Sequence, residues 1–289
     1  MAAEPARLNH IMVGDIRITY LPDGVTRLSP TDFLVNSTAE KWKLHPEWLD
    51  SGGQLVASIG GLLVETGDRK VLVDTGFGAK HTDIPPFGPF DGGNLLKSFA
   101  AAGVDPSQVD TVVYTHLHLD HIGWTSKATG EGRELSFPKA RYQIRSAEWK
   151  FWSGRNDPAG PSEAEVEDPL HNRVELVDVD TAIAPGINMV STPGHTPGHT
   201  SYVISSGAQR AIILGDTIHC PVQLEEQEWS CAFDVDRAMA RASREKLLAE
   251  LEDPSTVSVG GHFSDFTFGR VMQAQGKRQW VVATKAGVR

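Results

Sequence analysis

THLHLDH at residues 115–121 is the stretch on which the reading of this chain turns. It follows DTVVY (110–114), a β-branched run that predicts a strand. His116, His118, Asp120 and His121 place four potential metal donors within six residues. Residues two apart share a face of extended backbone, so His116 and His118 can grip one ion. If the chain then turns, Asp120 and His121 can face a second. Imidazole nitrogen and carboxylate oxygen suit zinc at roughly 2.0–2.2 Å, and also manganese, iron or cobalt.

Three later segments repeat the theme. TPGHTPGHT (192–200) lies between the predicted strands INMVS and TSYVIS and writes TPGHT twice, once with His195 and once with His199. Both histidines follow Pro-Gly, so spacing alone does not choose between them. LGDT (214–217) ends the apolar run AIIL with Asp216, and VGGHF (259–263) ends another β-rich run with His262. Taken singly, Asp216 or His262 would more often be a turn residue. Jointly, donors at the ends of several strands can converge on one edge of a sheet layer.

The rest of the chain sets bounds. It has 289 residues, 40% hydrophobic and 22% charged, enough to bury a sizeable core without staples. Twenty-seven basic against 37 acidic residues give a net charge of −10, which argues against nucleic acid as substrate. The first ten residues lack the basic stretch and apolar run of a secretory leader, and no run reaches the ~20 apolar residues of a membrane helix. Two cysteines, Cys220 and Cys231, make no disulfide framework. The expectation is a cytoplasmic protein with a small-molecule substrate and no membrane partner.

Further strands are predicted at DIRITYL (15–21), GLLVET (61–66), KVLVDTG (70–76), ARYQIR (140–145) and RAIILGD (210–216). GLLVET and KVLVDTG flank Gly67-Asp68, a hairpin signal. Helices are predicted at 93–102 and 234–252, the second with Val235, Ala238, Met239, Ala242, Leu248 and Leu251 near one face and Asp234 or Asp236 as cap. Strand blocks with helices between them indicate α/β layers. The chain reads as one domain, 1–289, with loop or lid insertions at about 27–58 and 153–172.

HLHLDH, then GH, then GD, then GH in this order resembles the metallo-β-lactamase superfamily, over roughly residues 55–265. The resemblance implies an αββα sandwich with a dinuclear metal site at one edge, here with an N-terminal loop extension. Carried over, His116, His118 and His199 would hold the first ion; Asp120, His121 and His262 would hold the second; Asp216 would bridge them. The family's ligand is the histidine of the Gly-His step just before the next strand, which selects His199 and leaves His195 in support.

Both His121 and Asp216 are present, unlike the pattern of true β-lactamases, which favours the hydrolase branch. GDTIHCPVQLEEQEWSCAFDVDRAMARASREKLL (215–248) looks like the corresponding part of methyl parathion hydrolase and the lactonase-like hydrolases. Acyl-homoserine lactonases place a tyrosine three residues after the bridging acid, whereas His219 stands here, so a generic lactone, ester or phosphotriester substrate is the broader expectation. Two divalent ions, zinc first, would activate a bridging hydroxide, with Asp120 as proton shuttle and His219 as a donor to the developing oxyanion. Trp42, Trp48, Trp124, Phe151, Trp152 and Phe263 are candidates to line an apolar pocket. The alternatives are an organophosphate triesterase and a mononuclear iron enzyme of the persulfide dioxygenase kind, which would not need the second donor set. Dimers are frequent among such relatives, so a homodimer is admitted, although no segment reads as an interface.

Overall fold

Alternating side chains along short apolar strands build two sheets around a shared core. The computed structural model describes residues 2–274 and 276–283, so the ends of the 1–289 span fall partly outside the described residues. The first sheet runs Val174–Val177, Arg141–Arg145, Thr111–Val113, Arg69–Val73, Leu55–Thr66, Ile16–Leu28, Gly88–Asp91, His81–Ile84, with Asn9–Val13 also paired to Ile16–Leu28. The second runs Ala182–Ala184, Ile187–Ser191, Thr200–Ser206, Gln209–Ile213, Thr256–Val259, Phe268–Ala274, Lys277–Val282.

The period-2 rule decides which layer each residue joins. Leu62, Val64, Val71 and Val73 point inward and meet Ile204, Ala211, Ile213 and Val259 from the facing sheet. Their neighbours Leu63 and Leu72 point outward, beneath Phe99 of the helix Leu95–Ala101. On the other side Ile212 points outward to Leu247, Leu248 and Leu251 of the helix Arg237–Leu251. Helix, sheet, sheet, helix is the αββα order that the family resemblance implied.

The predicted Gly67-Asp68 hairpin forms, with Thr66 opposite Arg69 and Gly67 at φ 58°. The long helix starts where Asp236 accepts the Met239 N–H at 2.9 Å. Its buried face is Ala240, Ser243, Arg244, Leu247, Leu248 and Leu251, whereas Val235, Ala238, Met239 and Ala242 face solvent. The predicted face was therefore out of phase at its N-terminal half. There the sheet is met by residues spaced three and four apart from Ala240 onward. The strand predicted over 110–114 forms as Thr111–Val113. Beyond it Thr115 turns away and donates its backbone N–H to Asp74 Oδ1 at 2.7 Å.

The segment 27–58 carries the short helices Pro30–Phe33 and Ala39–Trp42 and packs on the N-terminal residues through Ala3 N–H to the Leu49 carbonyl at 2.9 Å. The segment 153–172 holds the helical turns Glu163–Glu167 and Asp168–Leu170. No helix among the described residues is long and apolar enough to cross a membrane.

Candidate metal centre

The donor-bearing segments all follow the C-terminal ends of strands: THLHLDH after Thr111–Val113, the TPGHT repeat after Ile187–Ser191, LGDT after Gln209–Ile213 and VGGHF after Thr256–Val259. The two sheets bring these ends to one edge. Gly215 makes the last turn possible: its φ is +56°, and a Cβ there would sit 2.6 Å from His199 Nε2.

Two donor groups result. In the first, His118 Nδ1 lies 2.9 Å from His116 Nε2 and 2.9 Å from His195 Nε2. In the second, His121 Nε2 lies 3.1 Å from His262 Nε2, with Asp120 Oδ2 3.6 Å from the latter. Asp216 stands between them. Its Oδ2 is 3.3 Å from His195 Nε2 and 3.8 Å from His116 Nε2, while Oδ1 is 3.2 Å from His262 Nε2 and 3.4 Å from His121 Nε2.

Partners behind the rings fix their tautomers. Nδ1 of His195 faces Asp234 Oδ1 at 2.9 Å, Nδ1 of His121 faces Asp74 Oδ2 at 2.9 Å, and Nδ1 of His262 faces the Ser58 carbonyl at 2.8 Å. Nδ1 of His116 meets Thr115 Oγ1 at 3.1 Å, and that hydroxyl donates onward to Asp74. These rings therefore donate from Nδ1 and present the Nε2 lone pair inward. His118 Nδ1 can hold at most one proton, so its two 2.9 Å nitrogen contacts cannot both be hydrogen bonds. Asp216 Oδ1 is buried without a hydrogen-bond donor. Converging lone pairs around a carboxylate fit a pair of divalent cations.

The electrostatics agree. Burial drives His116 and His118 well below the usual histidine value, and drives His195 down to about 3, so all three stay neutral. Burial also opposes the charge on His121 and His262, but Asp216 outweighs it. His121 is held well above the ordinary value and His262 is pushed up to about 9. Without an ion these two rings would carry a second proton, on Nε2; the carboxylate field that holds that proton would equally favour a cation in its place.

His116, His118, Asp120, His121, Asp216 and His262 lie together at this edge, the residues that the family resemblance named, but His199 does not join them. Its Nδ1 contacts Thr192 Oγ1 at 2.9 Å, and its Nε2 accepts the Asp216 N–H at 2.8 Å. Both nitrogens are spent on framing the turn, and His195 occupies the place expected for His199. His219 lines the cavity, with Nε2 3.1 Å from Asp216 Oδ2 and its ring edge-on to Phe33.

Above the donors opens a cavity of about 1260 Å³, walled by Phe33, Phe90, Phe151, Trp152 and Phe233 and by residues 154–163 and 165–167 of the second insertion. Of the expected aromatics only Phe151 and Trp152 line it. Trp42 packs on Trp229 at 4.8 Å, Phe263 on Trp280 at 4.8 Å, and Trp124 donates its indole N–H to Asp23; Trp48 packs in the cluster of the first insertion. The sequence reading missed Asp74, Asp234 and Glu148. Asp74 ends the apolar strand KVLVD just as Asp216 follows AIIL, a signal that could have found it. Glu148 joins two ligand-bearing segments by accepting from Leu117 N–H and Gly198 N–H, each at 3.0 Å.

The chain matches the family model of the metallo-beta-lactamase superfamily over residues 62–262. It is 26% identical over 206 residues to an N-acyl homoserine lactonase of Bacillus cereus, covering 66% of this chain and 76% of that protein. Two solved structures are similar along nearly the whole length. The hydrolase AbOPH of the beta lactamase superfamily has a TM-score of 0.79 and 27% identity, covering 97% of this chain and 99% of that one. AidC, a dizinc quorum-quenching lactonase, has a TM-score of 0.82 and 24% identity, covering 98% of this chain and 100% of that one. With the αββα layers and the donor order on four strand ends, the match over most of the chain makes this protein a member of the metallo-beta-lactamase superfamily.

Proposed function

We propose that this chain, read as one domain whose insertions wall the cavity, is a dinuclear metal-dependent hydrolase that opens lactones or other esters with an apolar portion. One observation carries the reading: the two oxygens of Asp216 face separate donor groups at the floor of an apolar cavity. We assign His116, His118 and His195 to one ion, Asp120, His121 and His262 to the other, and Asp216 to both. Two divalent ions, zinc in the first instance, supply Lewis acidity to the ester carbonyl and lower the pKa of a water towards neutrality.

The chain's own residues do the rest. Asp234, Asp74 and the Ser58 carbonyl hold the imidazoles in the tautomer that presents Nε2. Asp120 lines the cavity beside His262 and is placed to hold the proton that the leaving alkoxide takes up. His219 can donate from Nε2 to the oxygen on which negative charge develops. Phe33, Phe151 and Phe233 exclude water and receive the apolar portion of the substrate.

The similar lactonase of Bacillus cereus puts N-acyl homoserine lactones first among substrates to test, although His219 replaces the tyrosine expected there. The test is metal analysis with a panel of acyl-homoserine lactones, aryl esters and phosphotriesters. About two zinc ions per chain with turnover of lactones or esters supports the reading. A single iron per chain, or metal-replete protein that opens no lactone or ester, overturns it.

A further inference from the structure

One donor group on the cavity wall is used only in part by the dinuclear centre. His195, His219 and Cys231 are buried, and their donor atoms all lie within 4.8 Å of one another. Both ring nitrogens of His219 lack a hydrogen bond, because the 3.1 Å approach of Nε2 to Asp216 Oδ2 is misaligned for one. A buried imidazole with no partner is costly unless something binds it.

Cys231 is held rigidly. It pairs with Leu34 in a two-stranded sheet of Ser230–Cys231 and Leu34–Val35, donates its N–H to Asp234 Oδ2 at 3.0 Å, and accepts the Phe233 N–H at Sγ at 3.4 Å. Asp234 thus holds His195 with one oxygen and Cys231 with the other. His195, Asp216, His219 and Cys231 all border the open cavity, so an ion can reach them.

We propose that Cys231 and His219, sharing His195 with the dinuclear centre, form an accessory site for one thiophilic divalent cation such as cadmium. Sulfur beside imidazole favours soft ions over the hard ones that oxygen ligands select. On binding, the sulfur–metal bond forms as the thiol releases its proton to solvent. Because His195 serves both donor groups, filling the accessory site competes with the first metal position. The proposal concerns metal binding and does not depend on the identity of the substrate.

The test is titration of the full-length, zinc-loaded protein with cadmium, read by thiolate-to-cadmium charge-transfer absorption in the ultraviolet. The expected result is a band that saturates, is lost in Cys231→Ser, persists in Cys220→Ser and weakens in His219→Phe. No band, or a band that survives Cys231→Ser, overturns the proposal. If Cys231→Ser fails to fold by circular dichroism, cadmium NMR of the unsubstituted protein decides. A resonance in the sulfur-bonded range supports the site, and resonances only in the nitrogen and oxygen range overturn it.

Discussion

Oδ1 of Asp234 stands 2.9 Å from Nδ1 of His195, and this contact turns the opposite edge of the ring towards His118 and Asp216. The two copies of TPGHT are separated by that carboxylate. It reaches the first histidine from 39 positions further along the chain.

His195→Ala should cut bound metal from about two ions per chain to about one and abolish lactone or ester turnover. His199→Ala should keep its metal, because the Nε2 of that ring accepts the Asp216 N–H. It should instead lose about 1–3 kcal/mol of stability as buried partners go unmet. Metal analysis beside chemical denaturation separates the two. Metal loss in His199→Ala with retention in His195→Ala would reverse the assignment.

Asp234→Asn keeps the size of the side chain but removes the charge behind His195. A partner of this kind typically changes metal affinity about 10–100-fold, and we expect a loss in that range. Chelator competition measures it, and unchanged affinity would show that a neutral acceptor orients the ring as well as the carboxylate does.

Glu148→Gln should destabilise the fold by about 1–3 kcal/mol, because one amide oxygen cannot replace two carboxylate oxygens that accept three N–H groups. Burial raises the Glu148 pKa above the usual carboxylate range, although its hydrogen bonds oppose the rise. A carboxyl raised in the folded state contributes its stability in full below the unfolded pKa and loses it as pH rises through the folded value. The advantage of wild type over Glu148→Gln should therefore be widest at low pH and narrow on raising the pH. Denaturant melts across that range check both size and sign.

Phe233→Ala should raise KM for long-chain lactones or esters about tenfold while leaving kcat for short-chain ones little changed, since the ring walls the cavity and meets the donors only by an edge contact with His118, 6.1 Å between centroids. A fall in kcat with KM unmoved would place Phe233 in the chemistry instead.

Much of this was readable in the sequence because it is local. The strands at 61–66, 70–76, 187–191 and 200–205, the Gly67-Asp68 turn and the Asp236 cap each follow from a few neighbouring residues. The aromatic lining was not readable. Trp42 and Phe263 have the composition of pocket residues, yet each is consumed by another ring that sequence does not place beside it. The misphased start of the long helix has the same cause, since nothing in the local sequence shows that Val235 and Met239 stay exposed in the fold.

By itself the sequence determined α/β layers and the order in which donors appear at strand ends, since alternation and turn chemistry act over a few residues, while the αββα stacking came from the family resemblance. Only the tertiary structure decided between His195 and His199. Their local wording is identical, so local energetics favour neither. The choice is made by long-range partners: Asp234 orients the first ring towards the centre, and the Asp216 N–H engages the second in holding the turn.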